Sequence, residues 1–414
     1  MKLKELAVHL DKIFNRSLAL EWDRAGLQIG NLDKDIKKIL VTLDLTGGVV
    51  DEAIDSGSEL IITHHPLIFN SIDTILSSDA NGKEILKLIE NKIALYCAHT
   101  NYDSMAGGLS DLFAEALGLT DLKVIEEQSS QWYKFVIFAP RESEEKIRQA
   151  ICRSGGGKWG NYSCCTFNIE GKGTFIPEAG SKPYTGRTGR MSYIDEVRIE
   201  CIVNEESLDG LVGEVLKSHP YEEPAYDIYK IENKFGEGGI GRVGKLPRPM
   251  KFKDFAEDIK KRLNIDGFEW MCGEGEKDRN TKDKEISRVA SVCGSANSLT
   301  DKLASIDCDV IVVGEIGYHN ALRIIECEDA ESIEGESTGC DKIEGNEGEE
   351  GTKRSKGIGR SRSKIIIAVG HGNSEKLAIN GISGRLEDFF KKNKIRIDIQ
   401  KSKMGYGTWR YQVE

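Results

Sequence analysis

The sequence predicts an α/β fold: two pseudo-symmetric α/β halves forming one domain, with a ferredoxin-like α+β domain inserted between them. Three observations predict it. Strand-like apolar runs alternate with helical patterns near both ends of the chain. The first alternation recurs in the second half, so that Asp51 matches Asp301, Glu59 matches Asp309 and Ile61 matches Ile311. Between them the chain follows another rhythm. At 414 residues it also exceeds one typical core. The expected boundaries are 1–128 for the first half, 129–235 for the insert and 236–414 for the second half.

Leu3, Leu6, Ala7, Leu10, Ile13 and Phe14 share one helical face and predict an opening helix. A strand at 38–43 and a helix at 49–56 lead to a strand at 60–63. That strand ends in His64-His65, and Pro66 stops it. In extended backbone the two histidines would face opposite sides and could reach two ions. A helix at 81–91 and a strand at 93–98 then deliver His99-Thr100-Asn101-Tyr102-Asp103.

The second half repeats strand 288–293, helix 299–305 and strand 310–313, which runs into Gly314-Glu315. Its later strand, 364–369, delivers His371-Gly372-Asn373-Ser374-Glu375. The pattern H-x-N-x-[D/E] therefore occurs at equivalent places in a repeat. A pseudo-twofold packing of the halves would bring both copies to one cleft.

The insert reads as strand 133–139, helix 144–154, a Gly-rich stretch, strand 196–203, helix 208–218 and strand 225–231, two β-α-β halves. His219-Pro220-Tyr221-Glu222-Glu223-Pro224 reads as a rigid turn. Segment 326–363, acidic and then basic with frequent Gly and Ser, is expected to be a disordered surface loop.

A net charge of −11 argues against general binding to nucleic acid or anionic membranes. No apolar run reaches the ~18 residues of a membrane span, and Asp11 and Lys12 interrupt any signal-peptide core. The ten cysteines form no C-x-x-C and are expected to be reduced thiols in a cytoplasmic protein. Gly239 to Lys245 imitates a phosphate loop, but Leu246-Pro247 replaces the required hydroxyl residue and helix start.

The candidate metal ligands are His64, His65, Asp103, His371 and Glu375, with His99 and His319 in reserve as ligands, proton carriers or structural residues. Imidazole and carboxylate without thiolate suit zinc, iron or manganese. Five ligands exceed what one open four-coordinate ion needs, so two divalent ions sharing a carboxylate are expected. Such a pair supports hydrolysis through a metal-bound hydroxide, with His99 or His319 as catalytic proton carrier. The alternative is a non-catalytic metal-binding interaction or regulatory scaffold.

Trp22-Asp23 with Gly26-Leu27-Gln28-Ile29-Gly30, Thr63-His64-His65-Pro66, His99-Thr100-Asn101-Tyr102-Asp103, Gly314-Glu315-Ile316-Gly317-Tyr318-His319 and Gly370-His371-Gly372-Asn373-Ser374-Glu375 resemble the GTP cyclohydrolase I type 2 homologue family, also called Nif-three-like. The likeness extends through the insert and excludes only 326–363. It implies that His64, His65, Asp103, His371 and Glu375 bind two divalent ions with Glu375 shared, and that His99 lies just outside the pair. It further implies a toroidal homohexamer, a PII- or CutA-like insert, and a small-molecule substrate such as a nucleotide or related heterocycle. Arg24 stands where the family usually has Asn, a departure that removes no expected ligand.

Overall fold

The computed structural model describes residues 1–128, 131–233, 238–273, 281–326 and 364–404. They form two units, Met1–Glu127 with Gly238–Glu414, and Gln128–Glu237. Of the loop expected at 326–363, all but Glu326 lies outside the described residues.

In chain order the first unit opens with α1 (Leu3–Ile13), β1 (Gly26–Ile29), β2 (Lys38–Thr42), α2 (Gly47–Ser56), β3 (Leu60–Thr63), α3 (Ala80–Glu90), β4 (Ala94–Cys97), α4 (Thr100–Ser104), α5 (Leu109–Ala116) and β5 (Thr120–Gln128). The second unit holds β6 (Trp132–Pro140), α6 (Glu144–Arg153), β7 (Phe167–Phe175), β8 (Ser192–Asn204), α7 (Glu205–Ser218) and β9 (Tyr226–Ile231). The chain returns with β10 (Gly238–Lys251), α8 (Phe252–Leu263), β11 (Glu269–Cys272), β12 (Glu285–Ser295), α9 (Thr300–Ser305), β13 (Val310–Glu315), α10 (Tyr318–Glu326), β14 (Ile365–Ala368), α11 (His371–Glu375), α12 (Leu377–Lys392) and β15 (Asp398–Lys401).

Local chemistry sets these limits. The Thr46 side chain accepts from Val49 N and caps α2, and Gly57 ends it at a φ of 68°, a left-handed conformation that costs glycine little. β3 and β4 are buried at every position, which is why they read as continuous apolar runs rather than alternating ones.

One sheet has the order β1-β4-β3-β2-β15 and the other β11-β14-β13-β12-β10-β5. In the first, β2, β3 and β4 are parallel and β1 is antiparallel at the edge. In the second, β12, β13 and β14 are parallel and β11 is the antiparallel edge. One buried cluster joins them, with Leu60, Ile62 and Tyr96 from the first sheet, Val312 and Ile367 from the second, and Tyr102, Phe113 and Ile382 from helices. The segment that imitates a phosphate loop lies within β10, where Arg242 to Lys245 pair with β12.

The second unit follows the order β-α-β-β-α-β with a sheet β7-β8-β6-β9 that is antiparallel throughout. Its core joins Phe135, Ile137 and Ile199 to Ile147, Ile151, Leu211 and Val215 of the two helices. β7 lies in the region that the sequence marks only as Gly-rich and just beyond it. It is an edge strand with no buried residue and two glycines, so it carries no apolar alternation to read. Cysteines also differ from expectation: Cys152 and Cys164 are paired as a disulfide. No helix among the described residues is long and apolar enough to cross a membrane.

A histidine and carboxylate cluster in the first unit

The cluster forms where β3, β4 and β14 end, the usual place for ligand sites in α/β sheets. β3 stops at Thr63, and His64 and His65 follow in a bend whose two N–H groups both donate to Leu43 O, at 3.1 and 3.0 Å. Strand alternation therefore does not apply to this pair. Both rings turn toward Glu375: His64 Nε2 lies 3.8 Å from Oε1, and His65 Nε2 lies 2.9 Å from Oε2.

Each H-x-N-x-[D/E] pattern becomes one short helical turn. His371 and Glu375 stand four apart on α11, with Nε2 3.1 Å from Oε2. His99 precedes α4, and Asp103 N donates back to His99 O at 3.0 Å. The asparagines hold the backbone. Asn101 Oδ1 accepts from His99 N and its Nδ2 donates to Phe14 O, while Asn373 Nδ2 donates to Val369 O.

The outer nitrogens of three rings face oxygens. His64 Nδ1 is 2.8 Å from the Ala98 carbonyl, His65 Nδ1 is 2.7 Å from Asp44 Oδ1, and His371 Nδ1 is 3.3 Å from Glu315 Oε1. A carbonyl or carboxylate oxygen only accepts, so each neutral ring carries its proton on Nδ1 and presents a lone pair at Nε2. Those lone pairs meet one another. His65 Nε2 and His371 Nε2 are 3.3 Å apart, and His64 Nε2 is 3.6 Å from Asp103 Oδ1. His64 Nε2 and Glu375 Oε2 are buried without a hydrogen-bond partner. A buried cluster of acceptors is stable only when cations or protons neutralise it. The donor set, imidazole with carboxylate, therefore fits divalent transition metals.

The titration directions show the same demand. Burial would push Glu375 up, yet contacts from His371, His64 and His65 hold its carboxyl well below the usual range. Burial opposes charge on His65, but Asp44 and Glu375 push it up to about 10. Burial likewise opposes charge on His64, and Asp103 and Glu375 outweigh it. Burial raises Asp103 despite the pull of His64 and His99.

His64, His65 and His99 offer ligand atoms within 4.8 Å of one another, and so do His65, His371 and Glu375. His99 is thus part of the cluster, with Nδ1 2.8 Å from Asp23 Oδ1. Thr100 holds Asp23 in turn, through N at 3.1 Å and Oγ1 at 2.5 Å. His319 is not brought in. It is exposed on α10 beside Tyr318, and neither candidate metal group includes it.

Several neighbours carry no mark in the sequence. Asp44 and Glu315 orient the His65 and His371 rings, and Cys293 places its buried Sγ 3.8 Å from Asp103 Oδ1. Gly294 has a φ of 62°, and a Cβ there would lie 2.3 Å from Glu375 Oε1. An exposed aromatic rim adjoins His99: Trp22 lies edge-on to it at 6.1 Å and 5.6 Å from Phe69. Gln28 fixes that rim by accepting from Leu67 N and Ile68 N. Among these residues Trp22, Gln28 and Glu315 stand within recognisable sequence motifs.

The chain is 40% identical over 305 residues to a Halalkalibacterium halodurans protein called GTP cyclohydrolase 1 type 2 homolog, covering 73% of this chain and 80% of that one. A Bacillus subtilis protein of the same description is 39% identical over 307 residues, covering 74% and 80%. Among solved structures, a Bacillus cereus protein related to NIF3 is similar with a TM-score of 0.76 and 32% identity, covering 100% of this chain and 99% of that one. The family model described as Duf34/NIF3 (NGG1p interacting factor 3) matches residues 1–331, and the chain belongs to that family.

Proposed function

We propose that the protein is a hydrolase dependent on two divalent metal ions, acting on a nucleotide or related heterocycle. The observation that carries this reading is the Glu375 carboxylate facing three imidazoles, each with its other nitrogen turned to an oxygen acceptor. His64, His65, Asp103, His371 and Glu375 would hold the ions, zinc, iron or manganese, with Glu375 shared. When bound, such ions polarise a carbonyl or phosphoryl group and make water nucleophilic at neutral pH.

The chain's own residues would do the rest. Asp23 holds the Nδ1 side of His99, which leaves Nε2 to take and return a proton. Trp22 and Phe69 offer ring faces for a planar heterocycle. The relatives' description as GTP cyclohydrolase 1 type 2 homologs supports a nucleotide-related substrate. The same reading includes a duplicated pair of halves, an inserted ferredoxin-like domain at 129–235, a cytoplasmic location and a homohexamer; light scattering of the purified protein measures the last.

The test is a hydrolysis screen of the metal-loaded protein against nucleotides and heterocycles. The expected result is turnover that Glu375→Ala abolishes while the oligomer persists. Metal bound without turnover on any substrate would contradict it. The family description, an interacting factor, favours a second reading as a metal-binding scaffold. That reading predicts copurifying partners and no turnover.

A further inference from the structure

The second unit contains a cavity of about 770 Å³ that owes nothing to the metal cluster. Its size is that of a small-molecule site. Phe138, Tyr184 and Tyr221 supply aromatic wall, and Glu196, Glu222 and Glu223 supply carboxylates; no Lys, Arg or His is among its lining residues.

The wall is fixed by hydrogen bonds within the turn expected at 219–224 and from it to neighbouring chain. His219 Nε2 donates to Phe138 O at 2.9 Å and its Nδ1 accepts from Tyr221 N at 3.1 Å. Both ring nitrogens are thereby used, and the histidine is structural. Tyr221 then donates to Glu196 Oε1 at 2.8 Å, and Lys182 N donates to Glu222 Oε2 at 2.8 Å. These bonds use one oxygen of each carboxylate. The Tyr184 and Tyr221 rings are 5.6 Å apart, with the Tyr184 hydroxyl tied to Glu142 at 3.0 Å.

Close approach adds a further sign of a shaped site. Glu196 Oε2 rests over Gly173 on β7, where a Cβ would come within 2.1 Å. Arg198, 6.0 Å from the Phe138 ring, is paired with Glu200 at 2.9 Å and does not neutralise these glutamates.

We propose that this cavity binds an organic cation, a guanidinium or alkylammonium group held by the glutamates against the tyrosine rings. Carboxylates select positive charge, and aromatic faces favour a weakly hydrated organic cation over a bare metal ion. The cation could be a free small molecule or an arginine side chain of a peptide, and the two probes below separate these sources.

The test is calorimetric titration of the full, metal-loaded chain with agmatine, with an amidated arginine tetrapeptide and with magnesium chloride. Saturable agmatine or peptide binding that weakens with added sodium chloride is expected. Glu196→Gln and Tyr184→Ala should each weaken it roughly fivefold or more, while Tyr184→Phe retains it. Gly173→Ala should weaken it by displacing Glu196. Glu375→Ala should leave it unchanged, since that residue belongs to the other cluster. No organic-cation binding at millimolar probe, binding unaltered in Glu196→Gln, or magnesium outcompeting agmatine at equal concentration would each overturn the proposal.

Discussion

Glu375 shows how much a single side chain can demand of its surroundings. A carboxylate with only 4% of its side chain exposed faces three imidazoles whose outer nitrogens are turned to Ala98 O, Asp44 and Glu315. Without a cation, protons must occupy this space, as the upward shifts of His64, His65 and His371 indicate. A divalent ion needs those rings unprotonated, so binding should release protons and weaken as pH falls. Calorimetry at neutral pH in two buffers of different ionisation enthalpy measures the release; identical apparent enthalpies would contradict it. At the rim, Trp22→Ala should raise KM for an aromatic substrate about fivefold, from about 1 kcal/mol of lost stacking, with kcat nearly unchanged. An unaltered KM would remove Trp22 from the pocket.

At the scale of elements, the cluster depends on where strands stop. β3 ends one residue before His64, and the bend then swings both rings toward α11. β12 passes beneath α11, and Gly294 lets it approach. Gly294→Ala adds a methyl that meets Glu375 Oε1 and strains a backbone at φ 62°. It should weaken metal binding at least tenfold, a loss of about 1.4 kcal/mol, while circular dichroism stays native. Wild-type affinity in this variant would show that the carboxylate has room to move.

This scale also explains what the sequence can and cannot show. His64-His65, the two H-x-N-x-[D/E] turns and their placement after apolar strands are readable because they are local patterns. Asp44 and Cys293 are not, because each meets its partner only through tertiary packing, and Glu315 stands in a motif whose contact with His371 only the fold reveals. His319 stands in a conspicuous motif yet lies on the exposed side of α10. β7 hides because an edge strand without buried residues leaves no alternation. Cys152 and Cys164 stand 12 residues apart in no cysteine motif, yet the fold brings their Cα atoms within 4.9 Å.

For the whole molecule, candidate ligands from both sheets would make folding and metal binding one equilibrium. His64, His65 and Asp103 follow the strands of one sheet, and His371 and Glu375 follow a strand of the other. An ion held between them would stabilise only the folded chain. At a thousandfold excess over its dissociation constant it adds about 4 kcal/mol, so exhaustive chelation should lower Tm by several degrees and readdition should restore it. An unchanged Tm would separate the cluster from the stability of this unit.

Elemental analysis of protein purified without chelators or nickel affinity resin, beside its Glu375→Ala variant, decides whether the cluster holds metal. Close to two transition-metal ions per wild-type chain and a large loss in the variant are expected, with both proteins folded. A wild-type protein free of metal, which also fails to take up zinc, iron or manganese when these are supplied, would contradict it.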